Sequence, residues 1–124
     1  MDLLINIAVP DLGRAVAFYT AAFGLTVSRR FGAEGAELSG WPVRLYLLQK
    51  PEGSVGAGES QRRYERHWTP VHLDIVVDDL EEALSRAIAA GARLETEVWT
   101  AAWGKIAVRR TIDIERQIGY ELPQ

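Results

Sequence analysis

Two side chains in this sequence are suited to moving a proton or holding a cation: His72 and Glu121. An imidazole titrates at about 6.5 when unperturbed, so it exchanges protons near neutral pH. Three roles are open to His72: metal ligand, general base, or a hydrogen-bonded pocket histidine without chemistry. Glu121 can serve as a base, as a ligand, or as a plain surface charge near the C-terminus. Asp74 follows His72 by two positions, and residues so spaced on one strand face stand roughly 7 Å apart. It therefore orients His72 only indirectly and reads as structural polarity. Asn6, Arg44 and Tyr46 are polar residues inside apolar runs. Trp99 and Trp103 offer flat faces on which an aromatic ligand can stack, and Arg44 adds a charge beside them. Trp41 shares that choice, the other reading being that the tryptophans cap the core or fill an interface. His67 stands in a loop-like stretch and reads as solvated. No cysteine is present, which excludes thiol chemistry, zinc ribbons and disulfides. No Gly-rich phosphate loop or Ser-His-Asp order is found, so no nucleophilic triad is expected.

The elements that must position these residues are written twice. LLINIAVPDLGRAVAFYTAAFGL (Leu3–Leu25) and VHLDIVVDDLEEALSRAIAAGA (Val71–Ala92) each run from an alternating apolar strand through an Asp cap into an amphipathic helix stopped at glycine. Leu4 aligns with His72, Asn6 with Asp74, Val9 with Val77 and Asp11 with Asp79, without gaps. Strands are expected at Asp2–Val9, Thr26–Phe31, Ala36–Ser39 and Val43–Gln49. A second set is expected at Pro70–Val77, Arg93–Thr100, Lys105–Ile112 and Ile118–Leu122. The helical stripes are Leu12, Ala15, Val16, Tyr19, Ala22 and Phe23, then Leu80, Ala83, Leu84, Ala87 and Ile88. Residues 51–69 hold Pro51, Gly53, Gly56 and Gly58 among polar residues and read as a linker. One domain, 1–124, thus divides into a first βαβββ module at 1–50 and a second at 70–124.

Strand alternation sorts the faces. A helix's apolar stripe needs an apolar partner. Val71, Leu73, Ile75 and Val77 should therefore face one helix, leaving His72, Asp74 and Val76 on the other side. By the same logic Leu4, Asn6 and Ala8 point away from the first helix. So do Arg44, Tyr46 and Leu48, while Val43, Leu45 and Leu47 face it. In the last strand Glu121 falls outward and Tyr120 inward. The fold class is α+β: a cup-shaped mixed sheet, helices outside, with a semi-polar lining.

Composition bounds the partners. The chain has 124 residues, 48% of them hydrophobic, enough for one core. A net charge of −3 argues against a nucleic-acid partner, because such binders carry a basic face. No apolar run is long enough to cross a membrane, and no basic-then-apolar leader stands at the start. A cytoplasmic location is the expectation.

The stretches VPDLGRAVAFYTAAFGL and HLDIVVDDLEEAL…AAGA resemble the vicinal oxygen chelate superfamily, which includes glyoxalase I, bleomycin-resistance proteins and extradiol dioxygenases. The resemblance covers the whole chain and implies two βαβββ modules, paired as a homodimer. Metal-dependent members place one ligand on the first and one on the last strand of each module. Carried across, those positions are Leu4, Tyr46, His72 and either Tyr120 or Glu121. Family spacing from Asp113 favours Tyr120 and strand parity favours Glu121. Leu4 has no lone pair, and Tyr46 is an unusual ligand. The expectation is therefore a small-molecule-binding protein holding an aromatic or amphipathic ligand, with no cofactor and no tightly bound metal. Its candidate ligand-binding residues are Asn6, Arg44, Tyr46, Asp74, Trp99 and Trp103. The alternative is a metal-dependent lyase, isomerase or dioxygenase using His72 and Glu121 on a divalent metal.

Overall fold

The computed structural model describes residues 1–71, 73–94 and 110–113. The first strand, β1 (Leu4–Val9), leads through Pro10 into α1 (Leu12–Phe23). Asp11 caps the helix by accepting a bond from the Arg14 N–H at 3.0 Å. The Gln49 side chain accepts another from the Leu12 N–H at 2.9 Å, tying the helix start to the sheet. Gly24 ends the helix in the left-handed region at φ 68°, with its N–H on the Thr20 carbonyl. Three strands follow: β2 (Thr26–Phe31), β3 (Gly35–Ser39) and β4 (Arg44–Gln49).

These strands form a four-stranded mixed sheet in the order β1-β4-β3-β2. β1 runs parallel to β4, and the other pairs are antiparallel. A parallel pair needs a crossover, which α1 supplies. One sheet face carries the core. Val9, Ala36, Leu38, Leu45 and Leu47 pack there against Leu12, Ala15, Phe18, Tyr19 and Ala22 of α1, and Ile5 and Ile7 lie alongside. Phe18, three residues after Ala15 and four before Ala22, belongs to this buried stripe as well. The alternation read from β1 and β4 holds: Leu4, Asn6, Arg44 and Tyr46 lie on the face opposite the helix. Trp41, in the bend between β3 and β4, caps the core, its ring 5.5 Å from Phe23 and 6.3 Å from Tyr19.

The stretch expected as a plain linker contains a hairpin, β5 (Val55–Ala57) and β6 (Ser60–Gln61). Arg62 latches it, donating to the Val55 carbonyl at 2.6 Å and to the Ser54 hydroxyl at 3.0 Å. Beyond it, β7 (Asp74–Val77) starts later than the strand expected from Pro70. Leu73, Ile75 and Val77 pack on the core, but Val71, expected on that face, precedes the strand and is exposed. α2 (Leu80–Ala89) is capped by Asp79, which accepts from the Glu82 N–H at 3.1 Å. Leu84 and Ala87 are buried, and the helix packs against α1. Ile88, expected in that stripe, is exposed, while Leu80, Ala83, Leu84 and Ala87 pack on the core. β8 (Arg110–Asp113) pairs antiparallel with β7. The expected strands at Arg93–Thr100 and Ile118–Leu122 fall almost wholly or wholly outside the described residues.

Candidate functional site

The open face of the four-stranded sheet carries a row of polar residues in register. Asn6 on β1 lies beside Tyr46 on β4, and Tyr46 lies opposite Glu37 on β3. Glu37 in turn pairs with Arg29 on β2. The register slips between Val27 and Arg29, so Ser28 is an extra residue beside Glu37. That irregularity brings the Ser28 hydroxyl onto the carboxylate, donating to Glu37 Oε1 at 2.8 Å.

Glu37 is the buried charged residue of the described chain, at 7% exposure. A carboxylate so placed needs donors to stay ionised. The Tyr46 hydroxyl donates to Oε2, Ser28 to Oε1, and the Arg44 guanidinium lies 3.8 Å from Oε2. The Tyr46 and Ser28 hydrogen bonds hold the Glu37 carboxyl below its ordinary value, opposing its desolvation, with Arg44 and Arg29 adding to the lowering. The same hydrogen bond raises Tyr46 above the ordinary phenol value, and desolvation adds to it. Tyr46 is thus a neutral phenol whose proton is committed to Glu37.

Aromatic and cationic groups extend this network across the face. Phe31 stacks on Tyr46, ring centres 5.6 Å apart and planes 26° apart. The Arg29 guanidinium lies over the Phe31 ring at 4.5 Å from its centre. Arg44 also pairs with Asp2 at 2.7 Å, an exposed contact that contributes little energy. The arrangement is a fixed aromatic platform with guanidinium groups at its margin. It can stack a flat ring and attract an anion.

Of the residues anticipated for the site, the structure brings Asn6, Arg44 and Tyr46 together on this face. Asp74 is exposed at the start of β7, its Cα opposite Asp113. His72, Trp99, Trp103, Tyr120 and Glu121 lie outside the described residues. Glu37, Ser28, Arg29 and Phe31 were not anticipated. Alternation alone places Glu37 on the open face, since Ala36 and Leu38 on either side must face the helix. Its pairing with Tyr46 needed the register across the Gly40-Trp41-Pro42 bend, and the Ser28 contact needed the β2 irregularity.

The metal that the resemblance implies can be tested against two of its positions. Leu4 is 40% exposed and offers no donor atom. Tyr46 would have to give up its hydrogen bond to Glu37, from a phenol whose pKa is already raised. A divalent ion takes three or four protein donors of N or O type. The first-module positions do not fit one, and among the described residues no group of three or more His, Asp or Glu stands close enough to hold one.

Residues 4–111 match the family of the glyoxalase-like domain. No curated protein matches the chain. Among solved structures, TioX from Micromonospora sp. ML1 is similar at 18% identity and a TM-score of 0.57, over 91% of this chain and 95% of that one. Lactoylglutathione lyase from Agrobacterium tumefaciens is similar at 16% identity and a TM-score of 0.52, over 95% and 93%. Hypothetical protein SA1046 from S. aureus is similar at 16% identity and a TM-score of 0.53, over 82% and 80%. Identities this low speak to fold alone, and that fold is the glyoxalase type. With a family match spanning nearly its whole length and a βαβββ sheet whose helix covers one face only, the chain belongs to the glyoxalase-like domain family.

Proposed function

We propose that this protein binds a small molecule, as members of the bleomycin-resistance type do, taking an aromatic or amphipathic ligand on the open sheet face without a tightly bound metal. The observation that carries this reading is the Phe31–Tyr46 stack, held on the open face by the Tyr46–Glu37 hydrogen bond. A surface ring normally rotates and is wetted. Here the platform is built in advance, so a ligand loses less freedom on docking against it. The first-module positions Leu4 and Tyr46 favour a drier floor over a hydrated cation. Among the described residues nothing on this face acts as a ready nucleophile: Glu37 has a donor on each of its oxygens and Tyr46 keeps its proton.

A thermal-shift screen of flat aromatic and amphipathic compounds, run with and without added divalent metals, tests the reading. Stabilisation follows mass action, so weak binders register at high concentration. Metal-independent stabilisation by aromatic compounds, weakened in Phe31→Ala, is the expected result. Stabilisation that appears only with a metal, and disappears in His72→Ala, would promote the metal-dependent enzyme instead.

A further inference from the structure

We infer that the ligand carries a negative charge beside its flat ring, an aromatic carboxylate in its simplest form, and that Arg29 is the residue that selects it. The inference rests on the binding reading above and names the ligand class of that site. It follows from sharing out the charges on the open face. Glu37 is buried and already accepts from Ser28 and Tyr46 with Arg44 close by, so it offers little to a ligand donor. Arg44 divides its guanidinium between Asp2 and Glu37. Arg29 differs. It is exposed, and it makes no ion pair with a carboxylate among the described residues. Its guanidinium is instead parked over the Phe31 ring.

A guanidinium held on a ring keeps its edge of N–H donors turned outward, and that fork matches a carboxylate with two parallel bonds. Phe31 is 36% exposed, so part of the residue stays open to a ligand beside the guanidinium. A ligand whose ring rests against Phe31 and whose carboxylate meets Arg29 satisfies both at once. A cationic ligand would be repelled by Arg29 and Arg44, and among the described residues the carboxylates beside them, Asp2 and Glu37, are already paired. A neutral one can accept from the fork only weakly, without the charge assistance a carboxylate brings. Selection by charge rather than by shape is the expected behaviour of this face.

Three probes of matched ring and different charge decide it: 2-naphthoate, 2-naphthamide and 2-naphthylmethylamine, each titrated calorimetrically into the full chain. The expected result is binding of 2-naphthoate about tenfold tighter than of the neutral amide, with the amine weakest. Arg29→Gln should abolish the preference. Arg30→Gln removes the same charge from the neighbouring position, whose register partner is the core residue Ala36, and should keep the preference. Arg29→Lys keeps charge but not the fork and should retain only part of the preference. It also serves as the second variant if the Gln variant unfolds. Equal binding of naphthoate and amide, tighter binding of the amine, or a preference that survives Arg29→Gln would overturn the inference while leaving a binding protein. No binding by any probe, together with no aromatic stabiliser in the screen, would remove the binding reading and the inference with it.

Discussion

At the scale of the residue, Glu37 organises the open face, and pH reveals it. Its folded pKa lies below the ordinary value of 4.5, so near and below that pH the unfolded chain binds more protons than the folded one. The stabilisation is present above the unfolded pKa and is lost as pH falls through the folded one. Acid unfolding followed by circular dichroism should therefore show a stability loss below about pH 4.5 that is weaker in Glu37→Gln. Tyr46 behaves in the opposite sense. Its folded pKa lies above 10.0, so its contribution is intact below that pH and fades as pH rises through the folded value. Tyr46→Phe removes one donor from a buried carboxylate. It should lower the melting temperature at pH 7, and the loss should shrink when Glu37→Gln is combined with it, because the two side chains share one bond. Equal losses in both backgrounds would mean that the bond is not coupled to stability.

At the scale of the element, the face assignment makes a prediction of its own. Leu47 is fully buried against α1, while its neighbour Leu48 lies on the other face. Leu47→Ala should cost about 2–5 kcal/mol in chemical denaturation and Leu48→Ala distinctly less. Similar costs would mean that the two faces are equally buried. Gly24→Ala forces a side chain into the left-handed region at φ 68° and should cost about 1–2 kcal/mol. Much of this was legible in the sequence for physical reasons. Period-two alternation in LINIAV and RLYLLQ sorts helix side from open side without any knowledge of pairing. Asp11 and Gly24 punctuate α1 by capping chemistry that is local to the chain. The polar network was not legible in the same way. Glu37, Tyr46 and Ser28 meet only through strand register and an irregularity in β2, which depend on partners distant in sequence. The hairpin at Val55–Gln61 was hidden because its latch is a side chain, Arg62, reaching back to the backbone. Of the second module, β7, α2 and β8 lie among the described residues, and β7 and α2 repeat the strand, Asp cap and helix of β1 and α1.

At the scale of the whole molecule, the repeated strand–helix units meet through their helices, with Leu84 and Ala87 of α2 sharing one core with α1. Ala87 has no exposed surface, so Ala87→Leu should overpack this contact and cost about 1–3 kcal/mol. No cost would mean that the helices separate freely in solution. Among the described residues no helix is long and apolar enough to cross a membrane. Leu3, Leu4, Val71 and Val76 leave apolar surface near the first strand of each unit. A homodimer that covers it remains the proposal, and sedimentation at micromolar concentration should give twice the chain mass. The claim that organises all of this is that the open face binds a flat molecule without help from a metal. It is tested most directly by calorimetric titration of chelator-treated protein with the strongest aromatic stabiliser from the thermal-shift screen. The account predicts saturable binding, about one ligand per chain, unchanged when zinc, nickel or manganese is restored. Binding that is absent until the metal returns, and absent again in His72→Ala, would contradict it.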